Sequence, residues 1–123
     1  MKRDIDLMRR MLFRIEERSD VPPRTLTLDD FMDMKKSSYE ISLHLGLLYD
    51  AGLIEVMDIT IVGDLKDYTI ERLTLAGYEY LDAVRNHKVW DRVKLAINSV
   101  GGATLDVIKQ VAVKELSKEL GLT

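Results

Sequence analysis

Two histidines and one Lys-Lys-Ser-Ser run are the side chains in this 123-residue chain whose types and places could do chemistry. His44 and His87 could each ligate a metal or exchange a proton near neutral pH. Their spacing nominates no third ligand. His44 falls in the middle of an apolar helical arc, so it reads as a core histidine bonded to a backbone or carboxylate partner. Lys35-Lys36-Ser37-Ser38 stands at a helix start, where backbone amides and two ammonium groups can meet a phosphate. Glu16-Glu17 and the Glu115–Lys118 pair carry no acid–base signature. No nucleophile with a base, phosphate loop or ligand trio stands out. The sequence therefore nominates no catalytic residue, no metal ligand and no cofactor site, and the chain is not read as an enzyme.

Composition narrows the setting. A 46% hydrophobic and 32% charged chain has the make-up of a folded domain. Zero cysteines remove disulfides, thiolate metal sites and cysteine nucleophiles together. No apolar run is long enough to span a bilayer, so no membrane partner is expected. Met1-Lys2-Arg3-Asp4-Ile5-Asp6 places acids where a signal peptide needs an apolar stretch, which predicts a cytoplasmic protein.

Periodicity then places the elements. Ile5, Met8, Leu12 and Ile15 predict a helix over about 4–18, with Arg9, Arg10 and Arg14 off the apolar stripe in water. Ser19-Asp20-Val21-Pro22-Pro23 ends it. Thr25 to Leu28 suits a short strand, and 29–34 is a helical turn or a loop. Ser37 or Ser38 caps a second helix to about Ala51, with Gly52 as its stop. On its wheel the solvent arc is Ser42, Gly46, Tyr49 and Asp50. Leu53 to Val62 reads as a strand, returning over Tyr68 to Leu73 after a loop of about six residues. Three further helices follow, over about 75–86, 88–99 and 105–119.

A helix ending Leu47-Leu48-Tyr49-Asp50-Ala51-Gly52-Leu53-Ile54 and feeding a hairpin has the order of a winged helix. Arg72-Leu73-Thr74-Leu75-Ala76-Gly77-Tyr78 adds a Leu-Thr-x-x-Gly step out of the wing. With Met1-Lys2-Arg3-Asp4, Asp6-Leu7, Arg9, Tyr39-Glu40-Ile41-Ser42, His44-Leu45, Tyr78-Glu79, Leu81-Asp82-Ala83, Arg85-Asn86 and Val89-Trp90, the chain resembles a family of phage- and prophage-associated winged-helix proteins of unknown function. The resemblance covers about nine-tenths of the chain and is weakest over 59–67. It implies an α+β, mostly α fold: a winged helix-turn-helix with a β-hairpin wing over 1–73 and a C-terminal helical extension over 74–123, as a single domain. It implies no activity.

Winged helices most often bind DNA, which predicts a DNA-binding regulator of phage or mobile-element type. Duplex contacts then fall to Lys35, Lys36, Ser37, Ser38, Ser42 and Lys66. Charge speaks against that default. Residues 1–18 hold six bases and four acids, 19–73 hold five bases and eleven acids, and 74–123 hold seven bases and six acids. The segment that should touch DNA is the most acidic. The alternative is a protein-interaction module that meets a basic partner through Gly46 and Tyr49. Val107 and Val113 widen the apolar arc of the last helix, which predicts either burial against two helices or a homodimer through the C-terminal helices.

Overall fold

Asp4 opens the first helix. Its Oδ1 accepts the Leu7 N–H at 3.0 Å, which satisfies one of the donors a helix start leaves orphaned. The computed structural model describes residues 1–18 and 24–122, so the expected break at Ser19 to Pro23 lies outside the described residues. Among the described residues the fold is α+β and mostly helical, with one two-stranded antiparallel hairpin. No described helix is long and apolar enough to cross a membrane. The chain groups into two compact units, Met1–Tyr78 and Glu79–Thr123.

In the first unit, α1 covers Ile5–Arg18 and buries Leu7, Met8, Met11, Leu12 and Ile15 completely. Two expectations about its arginines fail. Arg9 is buried, with its guanidinium 4.9 Å from the Phe13 ring centroid. A long side chain at the rim of an apolar stripe lays its stem on the core, and a neighbouring ring face takes the charge. Arg14 donates to the Asp30 carbonyl and forks onto both carboxylate oxygens of Asp33 at 3.0 Å. Only Arg10 of the three is in water.

The expected strand at 25–28 is reduced to one bridge. Leu26 and Ile70 exchange backbone hydrogen bonds of 3.0 and 2.8 Å. A 3-10 helix, Leu28–Met34, follows at once and takes the ambiguous segment. It buries Leu28, Phe31 and Met34, and the Thr27 N–H donates to Asp30 Oδ2 at 2.9 Å. Lys35 ends it with φ of 62°, and Ser37 caps α2, Ser38–Asp50, by accepting the Glu40 N–H at 3.1 Å.

The hairpin pairs β1, Ile54–Val62, with β2, Leu65–Leu73. The six-residue loop is thus corrected to the two residues Gly63 and Asp64. Val62 pairs with Leu65, and Gly63 at φ +67° supplies the positive angle a tight hairpin turn needs at its first position. Lys66 and Asp67, which follow Leu65, are poor strand formers by type. Pairing with Ile61 and Thr60 overrides that preference. Met57 bulges out of β1, and Glu71 is the corresponding extra residue on β2. The two irregularities offset each other, so both strands have nine residues.

The Leu-Thr-x-x-Gly step has a mechanical explanation. Thr74 Oγ1 accepts the Gly77 N–H at 3.1 Å at the start of α3, Leu75–Val84, and donates to the Gly52 carbonyl. A β-carbon on Gly77 would lie 2.1 Å from the Leu53 carbonyl oxygen, so only glycine fits.

In the second unit, Asn86 caps α4, His87–Ser99, by accepting the Val89 N–H, and Thr104 caps α5, Leu105–Glu119, by accepting the Val107 N–H. The two helices pack together, with Val89, Val93, Ile97, Ile108 and Ala112 buried. Arg92 joins Glu119 at 3.0 Å and Glu115 at 3.9 Å across them.

Candidate functional site

β2 runs along α2 in the same direction. Tyr39 Oη donates to Asp64 Oδ1 at 3.0 Å, tying the wing tip to the first turn of the helix. Further on, Ser42 Oγ donates to the Lys66 carbonyl at 2.6 Å. Further still, the Tyr68 ring meets Tyr49 with centroids 6.3 Å apart and planes tilted by 44°. Each two-residue strand step advances about 6.6 Å, while the helix advances about 4.5 Å from Tyr39 to Ser42 and about 6 Å from Ser42 to Gly46, which abuts Tyr68. The two elements therefore stay in step over the whole face.

This contact overturns the expected solvent arc of α2. Ser42 is only 8% exposed and its hydroxyl is used by the wing backbone. Gly46 is half-buried, and a β-carbon there would sit 2.8 Å from Tyr68 Oη. Tyr49 and Asp50 do face solvent, joined by parts of Leu43 and Leu47 from the apolar arc. A helical wheel shows which side is polar, not whether a hairpin will lie on it.

The nominated phosphate contacts are scattered in their roles. Lys35 is exposed in the left-handed turn before α2. Lys36 is half-buried and ion-paired with Asp4 at 3.5 Å. The Ser37 hydroxyl is occupied as the cap, and Ser38 is half-buried as the first residue of α2. Lys66 exposes its ammonium while its carbonyl holds Ser42.

Between α2 and the wing lies a groove of about 380 Å³, bordered by Tyr39, Leu43, Gly46, Asp50, Asp64 and Lys66, with Tyr68 also lining it. Three acids of the 19–73 segment are neutralised elsewhere. Asp33 pairs with Arg14, Asp30 with Arg24 at 3.0 Å and Arg18 at 3.8 Å, and Glu55 with Arg72 at 2.7 Å. The hydrogen bond from Arg14 is the main reason the Asp33 carboxyl is held below its ordinary range. Among the described residues, Asp29, Glu40, Asp50, Asp58, Asp64, Asp67 and Glu71 have no cationic partner. Five of these seven, Asp50, Asp58, Asp64, Asp67 and Glu71, lie at the end of α2 or on the hairpin.

The tyrosines of the groove respond to those acids. Burial, then the Asp50 charge, then Tyr49 push the Tyr68 phenol above its ordinary range. The hydrogen bond to Asp64, followed by its charge, does the same for Tyr39. Tyr39, Asp64 and Tyr68 were not singled out by sequence reasoning as site residues. Their only trace was residue type: an aromatic in a polar first turn, an acid after the turn glycine, and a tyrosine opening the returning strand.

His44 takes no part in the groove. It is fully buried, with Nε2 accepting the Asp4 N–H at 2.8 Å and Nδ1 2.6 Å from the Glu40 carbonyl. An acceptor at Nε2 places the ring proton on Nδ1, where it is donated to Glu40.

Comparison with known proteins agrees on kinship and offers no activity. No solved structure matches the chain. An uncharacterized protein of Haemophilus influenzae is 37% identical over 121 residues, covering 98% of this chain and 99% of its own length. Residues 2–104 match the model of the family described as "Hypothetical protein (DUF2513)". The chain belongs to the DUF2513 family.

Proposed function

We propose that this chain is a winged-helix interaction module, of the phage-associated kind its sequence resembles, that receives a basic segment of a partner protein on the face formed by α2 and the hairpin. The winged-helix part is supported by element order: α1, the Leu26 bridge, the 3-10 helix, α2 and the hairpin follow one another as that fold requires.

One observation carries the functional part: the wing lies on α2 and takes up Ser42 and Gly46. A recognition helix must offer side chains to base edges along an open face, and a wing must stand off to reach the backbone. Here the Tyr39–Asp64 bond holds the wing tip down. The groove beside it presents Asp50 and Asp64 against Lys66 alone. A duplex would meet more acid than base there, whereas a basic protein surface finds its complement.

Fluorescence anisotropy at low salt tests this, using the full chain with a labelled arginine- and lysine-rich peptide and with a duplex of random sequence. The expected result is peptide binding that weakens with added salt and with Asp50→Asn, and no duplex binding. Duplex binding that is lost in Lys35→Ala/Lys36→Ala, with no peptide binding, establishes the DNA-binding regulator instead.

A further inference from the structure

The geometry points to a subsite for a single arginine side chain in the groove between α2 and β2, with Tyr68 as its floor and Asp50 and Asp64 at its two ends. This deepens the interaction reading above and rests on it.

The first observation is the Tyr68 hydroxyl. The residue is 6% exposed, it lines the groove, and among the described residues its hydroxyl has no hydrogen-bond partner. Burial first, and then the Asp50 charge, push the phenol above its ordinary range. A neutral phenol oxygen keeps its lone pairs free to accept a bond.

The second is Gly46. A β-carbon there would come within 2.8 Å of Tyr68 Oη, so glycine at this helical position leaves the path to that oxygen open. Glycine lowers the helix propensity of the position, and the open path is what the fold obtains in return.

The third is the balance of charge and shape. Asp50 has no cationic partner among the described residues, and Asp64 uses only Oδ1 to hold Tyr39. At about 380 Å³ the groove sits at the low end of ligand-sized clefts, roughly 300–1,000 Å³. That is room for one side chain rather than a large ligand. A planar guanidinium suits it better than an ammonium. Its fork can give two bonds to the Asp50 carboxylate and one to Tyr68 Oη, both of which line the groove.

The experiment is an amide-resolved NMR titration of the full chain with a blocked Gly-Arg-Gly peptide and with the same peptide carrying citrulline, a neutral isostere. Shifts confined to 39–50 and 64–68, absent with citrulline, are expected. Asp50→Asn should weaken binding about tenfold, the cost of one charge-assisted bond. Tyr68→Phe should weaken it about threefold while leaving the amide spectrum of α1 unchanged. Equal binding of the citrulline peptide, or shifts centred on other acids, overturns the subsite. If the short peptide fails while the longer basic peptide of the anisotropy experiment binds, the subsite falls and the interaction module stands. If both fail, both fall.

Discussion

The backbone N–H of Asp4 donates to Nε2 of His44, 2.8 Å away and forty residues along the chain. The same imidazole gives its one N–H proton, on Nδ1, to the Glu40 carbonyl, one turn back on α2. The histidine thus ties the start of α1 to the middle of α2, within a site that excludes water. His44→Ala should remove about 2–4 kcal/mol of stability, combining a cavity with two unmet backbone groups. Urea denaturation checks it. A change under about 0.5 kcal/mol, the range of an ordinary surface substitution, contradicts the structural role.

Asp4 makes acid stability sensitive to one carboxylate. Burial alone would raise its pKa, but the Leu7 N–H and the Lys36 ammonium outweigh that and hold it below the usual 3.8. A depressed carboxylate contributes stability that is fully present above the unfolded value and is lost as pH falls through the folded one. Asp4→Asn keeps a capping oxygen and loses the charge. The gap in unfolding free energy between the native chain and Asp4→Asn should therefore be open at neutral pH and close below pH 3.8. A gap that is unchanged by acid contradicts the Lys36 pairing.

Two glycines should answer differently to the same substitution. Gly77→Ala drives a methyl into the Leu53 carbonyl, a backbone atom that cannot step aside, and should cost roughly 3 kcal/mol or more. Gly46→Ala meets only the far end of Tyr68, which can swing away. Its loss of packing is offset by a helix gain of about 1 kcal/mol. In a Tyr68→Ala background, where the obstacle is gone, Gly46→Ala should raise stability. Thermal melting of the four variants reads both effects, and equal costs at the two positions refute the distinction.

The wing is latched at two points, and each can be cut. Tyr39→Phe removes the bond to Asp64, and Ser42→Ala removes the bond to the Lys66 carbonyl. Ser42→Ala should cost about 1–2 kcal/mol, because it leaves a partly buried carbonyl unmet. Tyr39→Phe should leave global stability nearly unchanged and speed amide hydrogen exchange over 59–66. Unchanged exchange in both variants shows that the hairpin holds its place without them.

Helices were the legible part of this chain. The spacing of Ile5, Met8, Leu12 and Ile15 and the caps Ser37 and Thr104 mark α1, α2 and α5 within a residue or two of their observed bounds. Caps and periods are local, so a sequence displays them. The hairpin's true length was hidden, because Leu65 and Lys66 become strand only by facing Val62 and Ile61. The groove was hidden for a related reason. Ser42 and Gly46 look like solvent-facing residues on a wheel, and only a hairpin arriving from elsewhere in the chain turns them into a buried contact. Asp50 was visible as an acid. Its lack of a cation emerged only once Arg14, Arg18, Arg24 and Arg72 were seen committed to other carboxylates.

The bulge at Met57 bears on how the chain behaves among its own copies during synthesis. β1 is an outer strand with Met57, Ile59, Ile61 and Val62 exposed, the kind of edge along which nascent chains zip together. The bulge breaks the regular spacing of its free amides and carbonyls, and Asp58, without a cationic partner among the described residues, sets a negative charge beside the break. No apolar stretch on that edge is then long enough to seed a growing sheet. Neutralising Asp58 or making the ladder regular should therefore lower the concentration at which the chain begins to aggregate.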